Sequence, residues 1–183
     1  MAVPDASLGA VFFTAQPAKL HGFSCGGWPA PGTPHHLIAH DGGGNSRIWR
    51  WSAPFSTPPV IYGTLTEAFF NGVPPRAKEL GAAVNGRNDT GNGRWLDAEY
   101  RNGKLWATRN TACNFGGGEG ESCLDWIAVD VTGPVPLLVQ QQAGGAYGST
   151  DEFRSYPDLS VDRNDNLAIG YTKSSASTYT QVW

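Results

Sequence analysis

The chain has 183 residues, with 24 Gly and 13 Pro, so about one residue in five breaks regular backbone against roughly one in eight in average usage, which excludes a helical bundle. Charge is sparse: 13 Lys and Arg against 16 Asp and Glu leave −3, so there is no polyanion-binding face and no nucleic-acid partner is expected. An apolar fraction of 40%, with 7 Trp, 6 Tyr and 8 Phe, supplies a core and excludes disorder. Met1 to Asp5 lack the basic and apolar stretches of a signal peptide, and no apolar run reaches the eighteen or so residues that span a bilayer, so no membrane insertion is expected.

The apolar periodicity is that of strands. Strands are predicted over Ala10–Thr14 (AVFFT), His36–His40 (HLIAH), Arg47–Ser52 (RIWRWS) and Val60–Thr64 (VIYGT), with Gly42-Gly43-Gly44-Asn45 as a turn. They make a loose unit over 10–66. A connector follows over 67–92, in which PPRAKELGAAV suits one short helical turn after Pro74-Pro75.

The second unit, 93–142, is clearer. In WLDAEYRNGKLWATR, Leu96, Ala98 and Tyr100 alternate with Asp97, Glu99 and Arg101, and Asn102-Gly103 supplies a tight turn. Two further strands, Asp125–Val131 and Val135–Gln141, are joined through Thr132-Gly133-Pro134. The third unit, 153–183, repeats the hairpin in YPDLSVDRNDNLAIGYT, with Leu167, Ile169 and Tyr171 on one face, and begins a third strand at Thr178 (TYTQVW). The hairpins superpose as Trp95 on Tyr156, Asp97 on Asp158, Ala98 on Leu159, Tyr100 on Val161 and Leu105 on Leu167, an internal repeat.

Four-stranded antiparallel units at this spacing are the sequence form of propeller blades. The stretches GRWLDAEYRNGKLWATRNTA, LDWIAVDVTG and SYPDLSVDRNDNLAIGYTKSS resemble blades of secreted bacterial β-propeller proteins of the sialidase-like or BNR-like kind. The resemblance implies an all-β fold, a partial propeller of about three blades from a six- or seven-bladed ring, in one incomplete domain over 1–183. It also implies an extracellular or cell-surface location, with the missing blades supplied by a longer chain or a second subunit. The Asp-box motif of sialidases is met only by Ser160 and Asp162, because Asn164 and Leu167 replace its Gly and Trp. Their arginine triad, tyrosine nucleophile and acid have no assigned positions here, so the fold carries over and the activity does not.

Asp97 and Asp158 occupy equivalent positions near Arg94 and Arg154. All four are ligand-binding candidates at the channel mouth; alternatively each Asp accepts backbone N–H bonds where units meet. Glu99, Asp151 and Glu152 would join Asp97 as acids in a glycoside hydrolase, which needs two carboxyls about 5 to 10 Å apart. Asp162, Asn164 and Asn166 have the oxygen spacing that opens a calcium loop, but Leu167 and Lys173 depart from it, so a plain turn and no cofactor are expected. His35, His36 and His40 read as surface or turn histidines, since His36 and His40 would stand about 13 Å apart along a strand, too far to share a metal.

Cys113 and Cys123 bracket the flexible NFGGGEGES loop and are expected to form a disulfide, leaving Cys25 unpaired. GGGEG lacks the Lys and helix of a phosphate-binding loop. Trp49 and Trp51, beside Arg47, read as packing between blades rather than sugar platforms. The expected function is a non-catalytic binding or scaffold module for a glycan or protein; the alternative is a sialidase-like hydrolase.

Overall fold

A computed structural model describes residues 3–5, 10–12, 14–20, 29–41, 44–54, 56–67, 72–83, 86–116, 120–142 and 146–183. Cys25, Phe13 and the middle of the Gly-rich loop lie outside them. The strands are β1 (Val3–Asp5), β2 (Ala10–Phe12), β3 (Gln16–Pro17), β4 (Lys19–Leu20), β5 (His35–His40), β6 (Asn45–Trp51) and β7 (Val60–Thr66) in the first third of the chain. They continue as β8 (Trp95–Arg101), β9 (Lys104–Cys113), β10 (Glu121–Asp130), β11 (Leu137–Gln141), β12 (Phe153–Val161), β13 (Leu167–Ser175) and β14 (Thr178–Val182). The protein is all-β, and among the described residues no α-helix forms.

Besides the β1–β2 pair there are three open sheets: a first sheet ordered β3-β5-β6-β7, a central sheet β11-β10-β9-β8-β4, and a last sheet β12-β13-β14. Each is an antiparallel meander except for β4, which runs parallel to β8. Ala18 alone separates β3 from β4, so one extended segment belongs to both the first and the central sheet.

The central sheet is covered on both faces. Leu105, Ala107, Ile127 and Val129 pack with Ile38, Ile48 and Leu65 of the first sheet. Their neighbours Trp106 and Ala128 pack with Leu159 and Val161 of the last sheet. Successive side chains of a strand point to opposite faces, so β9 and β10 are buried almost throughout. In β8 a bulge between Trp95 and Asp97 resets the parity. Trp95 and Ala98 therefore share the first-sheet core, while Asp97 and Glu99 reach the last sheet. The polar positions Asp97, Glu99 and Arg101, which alternation alone places in solvent, are all buried.

The repeated hairpins keep the same pairing. After a bulge in each first strand, Asp97 faces Thr108, Ala98 faces Ala107 and Tyr100 faces Leu105; Asp158 faces Gly170, Leu159 faces Ile169 and Val161 faces Leu167. Asn102 and Gly103 have φ of 49° and 76°, as a two-residue hairpin turn of this hand requires. A Cβ on Gly103 would also meet Thr132 Cγ2 at 2.5 Å.

Two expectations change. The segment after Pro74-Pro75 holds turns and an isolated bridge between Ala77 and Asn88 instead of a helical turn, because its backbone is drawn outward: Leu80 N–H donates to Thr178 O and Pro75 O accepts from Thr90. His36 and His40 are not surface histidines. His36 is buried and stacks on Tyr100 of the central sheet at 5.5 Å. The His40 side chain is equally enclosed, because the central sheet covers this end of β5. Trp49 is buried with Ala39, Ala15 and Leu37, whereas the Trp51 ring N–H donates to Thr57 O near the surface.

Candidate functional site

Three places among the described residues matter most for function, and two of them are structural joints. Between the first and central sheets, Arg109 lies fully buried, its Cζ 4.4 Å above the Trp95 ring. Its Nε and Nη2 donate to Asp125 Oδ2 at 3.0 and 2.8 Å. Nη2 also pairs with Glu67, and Nη1 meets His40 Nδ1 at 3.1 Å. Trp95 Nε1 donates to Ser46 Oγ at 2.6 Å, and Ser46 in turn donates to Glu67. Burial pushes the Asp125 carboxyl up to about 6 against the pull of Arg109. Burial acts the same way on Glu67, but His40, Arg109 and Ser46 together outweigh it and hold that carboxyl below its usual range. Such a cluster has no access for a substrate and reads as a polar core.

Between the central and last sheets, side chains of the former reach the backbone of the latter. Asp97 Oδ2 accepts Leu159 N–H at 2.8 Å, Glu99 Oε2 accepts Val161 N–H at 3.3 Å, Asn110 Oδ1 accepts Tyr156 N–H at 3.0 Å, and Glu121 Oε1 accepts Asp151 N–H at 3.1 Å. These bonds cap amides along and beside the β12 edge turned away from β13, which would otherwise be buried without partners. Lys19 closes the joint, 2.6 Å from Asp97 and 2.8 Å from Asp158.

The structure thus brings Asp97 and Asp158 together but sends the two arginines elsewhere. Arg94 donates to Thr14 Oγ1, and Arg154 donates to Glu152 at 2.7 Å and Ser149 at 3.2 Å. Burial and a hydrogen bond with Asp158 raise the Asp97 carboxyl; the same bond, with Lys19, lowers Asp158. Asp151 has φ 60°, and Glu152 is shared between Arg154 and Lys173. In the Asp162 turn, the carboxylate accepts Asn164 N–H, Asn166 N–H and the Asn166 amide at 2.7, 2.9 and 2.8 Å. Asp41 holds Asn45 by the same pair of bonds, so an Asp followed four residues later by Asn closes two of the hairpins. Among the described residues no group of three His, Cys, Asp or Glu is placed to hold a metal ion.

The third place is an open groove of about 520 Å³ where the outer parts of the central and last sheets diverge. Trp106 and Trp126, diagonal neighbours on β9 and β10, stack at 6.1 Å with 24° between their planes. Leu167, Ile169 and Tyr171 line the opposite wall from alternate positions of β13. Tyr147, 46% exposed, meets Tyr171 edge-on at 6.0 Å. Gln140, Gln142, Asp165 and Asn166 complete the lining. Trp126 Nε1 donates to Gln142 Oε1 at 2.6 Å, which fixes the ring.

The disulfide supports this groove. Cys113 and Cys123 are joined with Cα atoms 6.0 Å apart, within the ordinary range. Gly148 sits directly on Cys123, where any Cβ would collide with Sγ, and Tyr147 exchanges backbone hydrogen bonds with Leu124. The bridge fits a compartment other than a reducing cytoplasm, and among the described residues no helix is long and apolar enough to cross a membrane. Sequence reasoning recognised the Leu167, Ile169 and Tyr171 face but missed Trp106, Trp126 and Tyr147. The signal available was parity: Trp106 and Trp126 fall on the same face once the β9–β10 register is set. Comparison with protein-family models, with curated proteins and with solved structures found no match.

Proposed function

We propose that the chain is a non-catalytic extracellular binding module, built as an incomplete β-propeller, with a glycan as the ligand of the aromatic groove. The observation that carries this reading is the groove itself: four aromatic rings beside side-chain amides, flat apolar faces for sugar C–H groups next to donors and acceptors for hydroxyls. The propeller reading draws support from three meanders stacked in chain order and joined face to face. The outermost strand, β14, is exposed along its whole length. Its edge already takes Leu80 N–H at Thr178 O and gives Thr180 N–H to Glu79; further blades, from a longer chain or a second subunit, would cover the exposed surface that remains.

The hydrolase alternative has less support. Asp97 and Asp158 are in hydrogen-bond contact and share Lys19, whereas carboxyls that flank a glycosidic bond stand about 5 Å or more apart to leave room for it. Asp97 also spends its oxygens on the N–H groups of Ala98 and Leu159. A glycan array, followed by a hydrolysis assay on each hit, tests both readings. The expected result is binding that Trp126→Ala removes and no product; turnover that Asp97→Asn abolishes would establish the hydrolase instead.

A further inference from the structure

We infer that the groove takes a neutral, hydroxyl-bearing glycan and discriminates against acidic ones; this rests on the glycan reading above. The lining carries one formal charge, Asp165. Its carboxylate is already committed, to Lys104 Nζ through Oδ2 and to the Asn102 amide at 2.8 Å through Oδ1. No lysine or arginine lines the groove among the described residues. One guanidinium borders the groove, that of Arg154, which lies 4.5 Å from the centre of the Tyr147 ring and also interacts with the Tyr171 hydroxyl, and it is committed to Glu152 and Ser149. A uronate, sialate or sulfate would therefore meet no lysine or arginine in the lining itself and would face Asp165, whose carboxylate is already paired with Lys104. Like charge at short range repels most where water is thinned by apolar walls.

What the lining does offer suits hydroxyl groups. Trp106 Nε1 is buried and has no acceptor among the described residues, a donor left without compensation. The exposed Gln140 amide stands on β11 at the rim, a donor and an acceptor in one group. A hydroxyl donates and accepts, so it can answer both, while the Trp126 and Tyr147 rings supply the apolar platforms. The groove's volume falls in the range of small-ligand sites, enough for a short run of sugar rings.

The test is affinity electrophoresis of the 183-residue chain in gels containing hydroxyethylcellulose, polygalacturonate or no polymer, at low and high salt, with a proline-rich peptide titrated separately in solution. The expected result is retardation by the neutral polymer, unchanged by salt and weakened about tenfold or more by Trp126→Ala and by Tyr147→Ala, the second being an exposed site that leaves the core intact. Gln140→Arg is expected to add salt-sensitive retardation by polygalacturonate. Retardation by polygalacturonate alone, lost in Trp126→Ala, would overturn the preference for neutral sugars and leave the groove as a glycan site. Retardation by neither polymer with binding of the peptide, whose class docks on aromatic grooves, would overturn the glycan reading itself. Retardation that neither aromatic variant alters would overturn the groove as the site.

Discussion

The two faces of the central sheet are joined to their neighbours by opposite means. Toward the first sheet, charged groups satisfy one another inside a sealed interface, with Arg109 between Glu67 and Asp125. Toward the last sheet, side chains satisfy backbone amides one at a time, and the interface opens into a groove. The first arrangement concentrates its risk in one cation. The second spreads it over Asp97, Glu99, Asn110 and Glu121, and leaves aromatic surface accessible to a ligand.

The contrast is broken most severely by Arg109→Met. Removing the cation leaves two buried carboxylates without the charge they share, Glu67 keeping Ser46 and His40, which costs about 3 to 5 kcal/mol, a large share of the stability of an ordinary domain. A chemical denaturation midpoint should fall steeply, or the chain should fail to fold.

Acid should separate the two titrating groups of the same joint. His36 is held down at about 4, first by burial and then by Arg50 and His35, so the unfolded chain takes up a proton more readily and stability is lost as pH falls from 6.5 toward 4. Asp125 has its carboxyl raised to about 6, so its contribution is full below 3.8 and is lost as pH rises through 6. Each is worth on the order of 3 kcal/mol, and they oppose each other. His36→Phe is expected to yield a fold that weakens as pH rises from 4 to 6, and Asp125→Asn one that weakens as pH falls over that window, both read by thermal melts. A variant with the wild-type profile would remove that residue from the account.

On the other joint, replacing Cys113 and Cys123 together by Ser should lower stability by about 2 to 4 kcal/mol. It should also weaken ligand binding, since Tyr147 is held against Leu124 beside the bridge. Unchanged binding in the folded double variant would separate the disulfide from the groove. The smallest effect is expected for Asp97→Ala, about 1 to 3 kcal/mol from the uncapped Leu159 amide, with groove binding intact. Loss of binding without loss of stability would return Asp97 to the ligand site.

Local chemistry was the legible part of this sequence. Asn102-Gly103, the period-two alternation of β8 and β12, and two cysteines flanking a flexible loop each specify their structure within a dozen or so residues. Alternation could not say what lies opposite the polar face: for Asp97 it left a channel mouth and a junction between units both open, because a neighbouring sheet and water ask for the same pattern until the partner is known. His40, Glu67, Arg109 and Asp125 come from four different strands or strand ends, so no spacing reveals them as one cluster. The groove was hidden for a related reason. Trp106 and Trp126 become neighbours only through a strand register, and Tyr147 joins them by pairing with Leu124 outside any long strand.

The segment from Gln16 to Leu20 has a consequence for how the molecule assembles. The central and last sheets are meanders of neighbouring hairpins, contacts that close over short stretches of chain and form early. Lys19 instead meets Asp158 across 139 positions, and β4 completes the central sheet only after β8 exists to receive it. Loop-closure entropy makes so distant a contact a late kinetic event, so the N-terminal segment acts as a latch: a chain still emerging during synthesis has its latch ready first and must wait for Asp158 before it can be thrown.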